Sequence, residues 1–213
     1  MKTLFASVLL ALLQADGTFF TTDLSVEEME TKQAAVETSK GSFVIGFLPR
    51  VAPHHVGYFL KLASEGAYDG TSFHRVIKYG IIQGGDPLTR NETARDRHGT
   101  GGLGVLKAEF NEEPHTRGAV SAVRLPGKPD SAGSQFFVCV TDQPSLDGQY
   151  TLFGRVLEGM DVVQAISEIP ADEKTIATER VEIVSVTVRD APPPDAPGTP
   201  DTPERPQREE HQE

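Results

Sequence analysis

Ser72-Phe73-His74-Arg75-Val76-Ile77, then Lys78-Tyr79-Gly80, then Ile81-Ile82-Gln83-Gly84-Gly85-Asp86, has the two-residue alternation of β-strands on either side of a short break. Alternation puts Phe73 and Arg75 on one face of the first strand, and Ile81 and Gln83 on one face of the second. A third run, Gly133-Ser134-Gln135-Phe136-Phe137, places Gln135 and Phe137 together in the same way. An arginine and two glutamines interleaved with large apolar groups is unusual for a plain barrel wall. It reads as a shallow apolar site with a few fixed polar donors. By the same alternation His74 points the other way and is expected to be a core or near-core histidine with its hydrogen bonds satisfied.

Working outward, further strand-like runs are Ala35 to Thr38, Phe43 to Phe47, Ala119 to Val123, Gln135 to Val140, Thr151 to Val156 and Val181 to Val188. The first two flank Ser39-Lys40-Gly41-Ser42, a hairpin signal. In the last, the apolar phase shifts between Ile183 and Val184, which predicts a bulge or a strand covered on both faces. Two segments carry helical spacing. Val56, Phe59, Leu60 and Ala63 form a stripe after Pro53, with Gly66 as the stop, and Met160, Val163 and Ile166 form a shorter stripe before Pro170. Many short strands with two separated helices predict a mainly β fold, a closed antiparallel barrel whose ends need covering.

The flanks differ in character. Leu4 to Leu13 is an apolar run behind Lys2, shorter than the roughly 20 residues that span a bilayer, and it reads as a signal peptide over residues 1–15. The expected destination is export, periplasmic or secreted, with a cytoplasmic location if the leader is not a signal peptide. Residues 16–32 are polar and acidic and read as a linker, and residues 33–190 form the folded domain. The proline-rich acidic stretch 191–213 has little to bury and reads as a disordered tail.

Composition and motifs exclude several functions. The 213-residue chain is 38% hydrophobic and carries a formal net charge of −11, which opposes nucleic acid and anionic membranes; no membrane partner is expected for the mature form. Cys139 is the single cysteine, so the chain has no internal disulfide, and its apolar surroundings predict an inert thiol. Gly99-Thr100-Gly101-Gly102-Leu103-Gly104 has the spacing of a dinucleotide loop, but a polar segment precedes it and no helix opens after it. Asn91-Glu92-Thr93 is a glycosylation sequon, meaningful only in a eukaryotic secretory host. His54 and His55 are adjacent and diverge on a helix, and His98 and His115 lie in loops without partner spacing, so no metal site is expected. No Gly-x-Ser-x-Gly elbow supplies a serine nucleophile.

The motifs Tyr68-Asp69-Gly70, Phe73-His74-Arg75, Gln83-Gly84-Gly85-Asp86, Gly99-Thr100-Gly101-Gly102, Gly133-Ser134-Gln135-Phe136-Phe137, Leu146-Asp147-Gly148 and Phe153-Gly154-Arg155-Val156 occur in one order. In this the chain closely resembles the cyclophilins, the cyclosporin-binding peptidyl-prolyl cis-trans isomerases, over residues 33–189, and its compact loops look bacterial. The resemblance implies an eight-stranded antiparallel β-barrel capped by two α-helices, with the site on its outer surface. It implies prolyl isomerisation without any cofactor, proline-containing polypeptides as partners, and a monomer. Carried over by position, Arg75 matches the catalytic arginine, Gln83 the glutamine holding the substrate backbone, and Phe137 the floor of the proline pocket. Ile81, Val123 and Leu146 match apolar walls. Phe73, Arg124, Tyr150, Gln135, Gly99 and Gly101 match further substrate-binding or peripheral pocket positions. Three departures stand out. Gly80 replaces a pocket phenylalanine, for which Tyr79 is the nearest substitute. Tyr150 replaces a histidine. Ser145 replaces the tryptophan of drug-sensitive members, which implies weak cyclosporin binding. Gly80 also keeps open the alternative of a proline-peptide-binding chaperone module with weak catalysis.

Overall fold

The computed structural model describes residues 18–192. The leader assigned to 1–15 and nearly all of the tail assigned to 191–213 lie outside the described residues. Eight strands close on themselves: β1 (Lys32–Thr38), β2 (Gly41–Phe47), β3 (Thr71–Val76), β4 (Ile81–Gly84), β5 (Ala119–Ala122), β6 (Phe136–Cys139), β7 (Leu152–Glu158) and β8 (Ile176–Asp190). The order around the barrel is β1-β2-β7-β5-β6-β4-β3-β8, antiparallel at every seam. Closure leaves no unpaired sheet edge. The phase shift at Ile183 and Val184 is a bulge: Thr38 pairs with Ile183 and Glu37 with Ser185, so Val184 is the extra residue and stands out to solvent.

Inward-facing side chains fill the barrel, with Phe43, Ile45, Phe73, Ile82, Phe136, Val181 and Ile183 all essentially without exposure. One end is plugged by α2 (Pro53–Ser64), whose Val56, Phe59, Leu60 and Ala63 are buried. Phe59 packs its ring 4.9 Å from Tyr68 and 5.6 Å from Phe136, so this helix and the barrel share one aromatic core. No side chain of its own N-cap, Ala52, caps the helix. The Glu109 carboxylate does so from a distant loop, accepting from the His54 and His55 N–H groups at 3.1 and 2.9 Å and from His55 Nδ1 at 2.6 Å. Burial would raise this carboxyl, but the bonds from His55 and His54 outweigh it and hold the group below its ordinary value. The other end is covered by α3 (Met160–Ser167), which buries Val163 and Ile166.

The segment read as a linker is part of the fold over its described residues. Phe20 N–H donates to Val105 O at 2.9 Å, and its ring lies 4.9 Å from that of Tyr58. Ser25 and Glu28 form a reciprocal capping box that starts α1 (Val26–Glu30), and Met29 is completely buried. The overlooked signal was that box, Ser25-x-x-Glu28, ahead of a single methionine anchor. Too few apolar residues surround it for periodicity to register. Among the described residues no helix is long and apolar enough to cross a membrane.

Candidate active site

Strand register sets the site. Arg75 pairs with Gln83, Gln83 with Phe137, and Phe137 with Ser121, so four positions stand in one line across β3, β4, β6 and β5. The side chains of Arg75, Gln83 and Phe137 look onto a cleft of about 500 Å³, while Ser121 lies buried beneath the floor. Ile81, Val123, Leu146, Tyr150, Gly99 and Arg124 all line it. Ile77, Leu103, Leu125 and Ile176 add apolar surface that sequence reading did not assign.

A hydrogen-bonded relay holds the polar side. Arg75 Nε donates to Thr175 Oγ1 at 2.8 Å and Nη1 to Gln83 Oε1 at 3.2 Å. Gln83 Nε2 donates to Gln135 Oε1 at 2.9 Å, and Gln135 Nε2 donates to the carbonyls of Gly99 and Gly101 at 3.0 and 2.7 Å. Because the arginine can only donate, the orientation of both amides follows from it in turn. Thr175 occupies the left-handed region at φ 64°, a strained conformation for a β-branched residue, and its hydroxyl anchors the guanidinium. Gln135 is 1% exposed and stands behind Gln83 instead of facing the cleft.

Phe137 forms the floor at 3% exposure. The Tyr150 ring meets it edge-on at 5.4 Å, and the His115 ring stacks behind it at 6.1 Å and 18°. Asp147 Oδ1 accepts from His115 Nδ1 at 2.9 Å, leaving His115 Nε2 to accept from Ser121 Oγ at 2.9 Å. Sequence reading found no partners for His115 because they lie 6 and 32 positions away. This serine–histidine–aspartate arrangement resembles a hydrolase triad, yet Ser121 has no exposed surface, so no substrate can reach its oxygen. Its role is to hold the floor. Burial lowers the His115 pKa, against the opposing pull of Asp147.

Four expectations need correction. Phe73 does not share a face with Arg75: the β3–β8 register shifts between them, and Phe73 turns into the core, 6.1 Å from Phe43 and 5.8 Å from Phe136. Between the pairings of Phe73 and Arg75, β3 advances two positions while β8 advances five, and at this irregularity the simple alternation of faces along β3 is lost. His74 is not a satisfied histidine. It is 4% exposed, and neither ring nitrogen has a hydrogen-bond partner among the described residues. Burial pushes its pKa down to about 4, so the ring is neutral at physiological pH, and it forms part of the cleft wall. Gly101 stays outside the cleft: its N–H and that of Gly99 bind Asp86, and a Cβ at Gly101 would sit 2.4 Å from Asp86 Oδ1. Tyr79 does not fill the space at Gly80; it is 49% exposed, with Lys78 Nζ 5.2 Å from its ring centre. Ile77 does, its Cγ2 lying 2.8 Å from where a Gly80 Cβ would be. Cys139 is the inert thiol expected, fully buried with its pKa raised to about 12 by that burial.

The family model described as "Cyclophilin type peptidyl-prolyl cis-trans isomerase/CLD" matches residues 33–188. A probable peptidyl-prolyl cis-trans isomerase of Brucella abortus is 38% identical over 177 residues, spanning 78% of this chain and 90% of that one. A peptidyl-prolyl cis-trans isomerase of Helicobacter pylori is 38% identical over 154 residues, spanning 70% and 88%. Among solved structures, a cyclophilin-type isomerase of Cryptosporidium parvum, crystallised in the presence of the dipeptide Ala-Pro, superposes with a TM-score of 0.67 at 27% identity. It covers 75% of this chain and 99% of that one.

Proposed function

This chain belongs to the cyclophilin-type peptidyl-prolyl cis-trans isomerases, and from that premise we propose that Arg75, Gln83 and Phe137 carry the reaction. Amide resonance sets a barrier of about 18–20 kcal/mol, so an uncatalysed prolyl bond turns over in tens to hundreds of seconds. Twisting the bond ends conjugation and returns a lone pair to the proline nitrogen. A guanidinium aimed at that nitrogen gains a hydrogen bond only in the twisted state, which is differential binding of the transition state. The observation that carries this reading is the clamp on Arg75. With Nε on Thr175 and Nη1 on Gln83, the edge bearing Nη2 is left for substrate. The second N–H of Gln83 Nε2 holds the acyl carbonyl, Phe137 supports the proline ring, and Ile81, Val123 and Leu146 exclude water. No cofactor takes part. The test is exchange spectroscopy on an unstructured prolyl peptide; a rate no faster than the uncatalysed one would sink the assignment.

Proline-containing polypeptides are the substrates we infer. A second reading, a peptide-binding module with weak catalysis, draws on the exposed apolar rim of Ile77, Tyr79 and Leu125, exposed at 36%, 49% and 38%. Tight peptide binding with a low kcat in the same experiment would favour it. Ser145 is exposed and offers no indole to the drug's macrocycle, so cyclosporin is expected to bind with a Kd above the micromolar range; submicromolar inhibition would refute this. The apolar run Leu4 to Leu13 supports export with removal of the leader. The N-terminal sequence of the protein isolated from its native host would show it, and retention of Met1 would exclude it.

A further inference from the structure

Among the described residues no aspartate or glutamate lines the cleft, although the chain as a whole carries a net charge of −11. Its charged side chains are Arg75 and Arg124. Arg75 is taken up by the relay. Arg124 has no such task, and it is held in place without a carboxylate. Its Nε donates to Gln149 O at 2.7 Å, Nη1 to Leu125 O at 3.3 Å, and its Cζ lies 4.7 Å from the centre of the Tyr150 ring. Arg50, Arg155 and Arg180 by contrast each pair with a glutamate. The backbone beneath Arg124 is fixed as well: Val123 N–H donates to Gln135 O at 3.0 Å and Leu125 N–H to Ser131 Oγ at 2.7 Å. An oriented guanidinium, its Nη2 without a partner among the described residues, is therefore presented at the rim of the pocket, across the Phe137 floor from the polar side.

Position makes this cation a reader of sequence. Arg124 follows β5, which lies beside β6 and the Phe137 floor, whereas Arg75 lies two strands away on the other side. Neighbouring strands are about 5 Å apart, and an extended peptide advances about 3.4 Å per residue. With a proline ring on Phe137, the side chain one or two residues away, on the side remote from Arg75, comes within reach of Arg124. We propose that Arg124 makes this isomerase prefer prolines flanked by a carboxylate side chain, Asp or Glu, over prolines flanked by lysine. This deepens the isomerase reading and depends on it.

The test compares peptides that differ only in Glu, Gln or Lys placed one or two residues before or after a single proline. The chain's overall negative charge repels acidic peptides in every variant, so the informative quantity is the change in the Glu-to-Lys ratio of kcat/KM on substitution. For Arg124→Gln this ratio is expected to fall about three- to ten-fold at the best position, the range for a partly exposed charge pair. Arg124→Glu should lower it further and favour lysine. Salt near 1 M should erase most of the difference, because the Debye length shrinks to about 3 Å. A ratio unchanged in both variants overturns the proposal. If the Gln peptide itself is not turned over, the isomerase reading fails instead. The same ratios, measured as dissociation constants by NMR titration, then still decide whether Arg124 selects acidic peptides.

Discussion

Arg75→Ala is expected to lower kcat/KM for a prolyl peptide by about ten- to a hundred-fold, the equivalent of one charge-assisted hydrogen bond worth about 1.5–3 kcal/mol. The substitution removes the donor to the proline nitrogen and also the donor that orients Gln83. Gln83 is 7% exposed, so its Oε1 loses a partner in a nearly dry setting, and a stability loss of about 1 kcal/mol accompanies the kinetic one. Arg75→Lys should do little better, because an ammonium cannot span Thr175 and Gln83 and still present a free N–H. Exchange NMR on one peptide, with urea titration of each variant, separates the two effects. Activity above half of wild type in Arg75→Ala would refute the mechanism. Since a single hydrogen bond supplies at most about two powers of ten, any larger acceleration must come from the walls and floor that hold the ring in place.

Phe137→Ala should cost the fold more than it costs the chemistry. The ring is nearly buried between His115 and Tyr150, in a small outer cluster with Ala119, Cys139 and Leu152. Phe-to-Ala changes in cores cost about 3–5 kcal/mol, and the lower end applies here because the vacated space opens into the cleft and admits water. KM should rise along with this, as the platform for the proline ring is gone. Phe137→Leu keeps most of the volume and should recover most of the stability while leaving KM raised. A shift in the urea midpoint equivalent to less than about 1 kcal/mol for Phe137→Ala would show that the ring is not structural.

The parts of this protein written in short-range periodicity were readable in advance. Alternation in Ile81 to Gln83 and Gln135 to Val140 found two strands of the site. The Val56, Phe59, Leu60, Ala63 stripe found the helical plug, and the phase slip at Ile183 found a bulge. Where backbone geometry breaks the period, the reading failed. Phe73 and Arg75 take different faces because the β3–β8 register breaks between them, with the unmatched residues on β8, about 100 positions away, where the local pattern of β3 carries no trace of them. Long-range partnerships were invisible for a different reason. Thr175 is 100 residues from Arg75 and Asp147 is 32 from His115, and no local pattern encodes such distances. Most pocket positions came from the family resemblance. Geometry adds what the resemblance could not supply: Ile77 in the space above Gly80, an unpartnered His74, and an arginine at 124 held ready on a tyrosine.

The seam between β1 and β8 has a consequence in time. Lys32 and Asp190 meet across it, 158 positions apart, and β8 also supplies the partner of β3. The cylinder can therefore close only after the chain has left the ribosome as far as Asp190, and such distant pairing makes for slow folding. Thr175, which steadies the guanidinium, immediately precedes that last strand. A growing chain thus carries every cleft wall except Ile176 long before its arginine is fixed, and it becomes a working rotamase only when its own final stave locks into place.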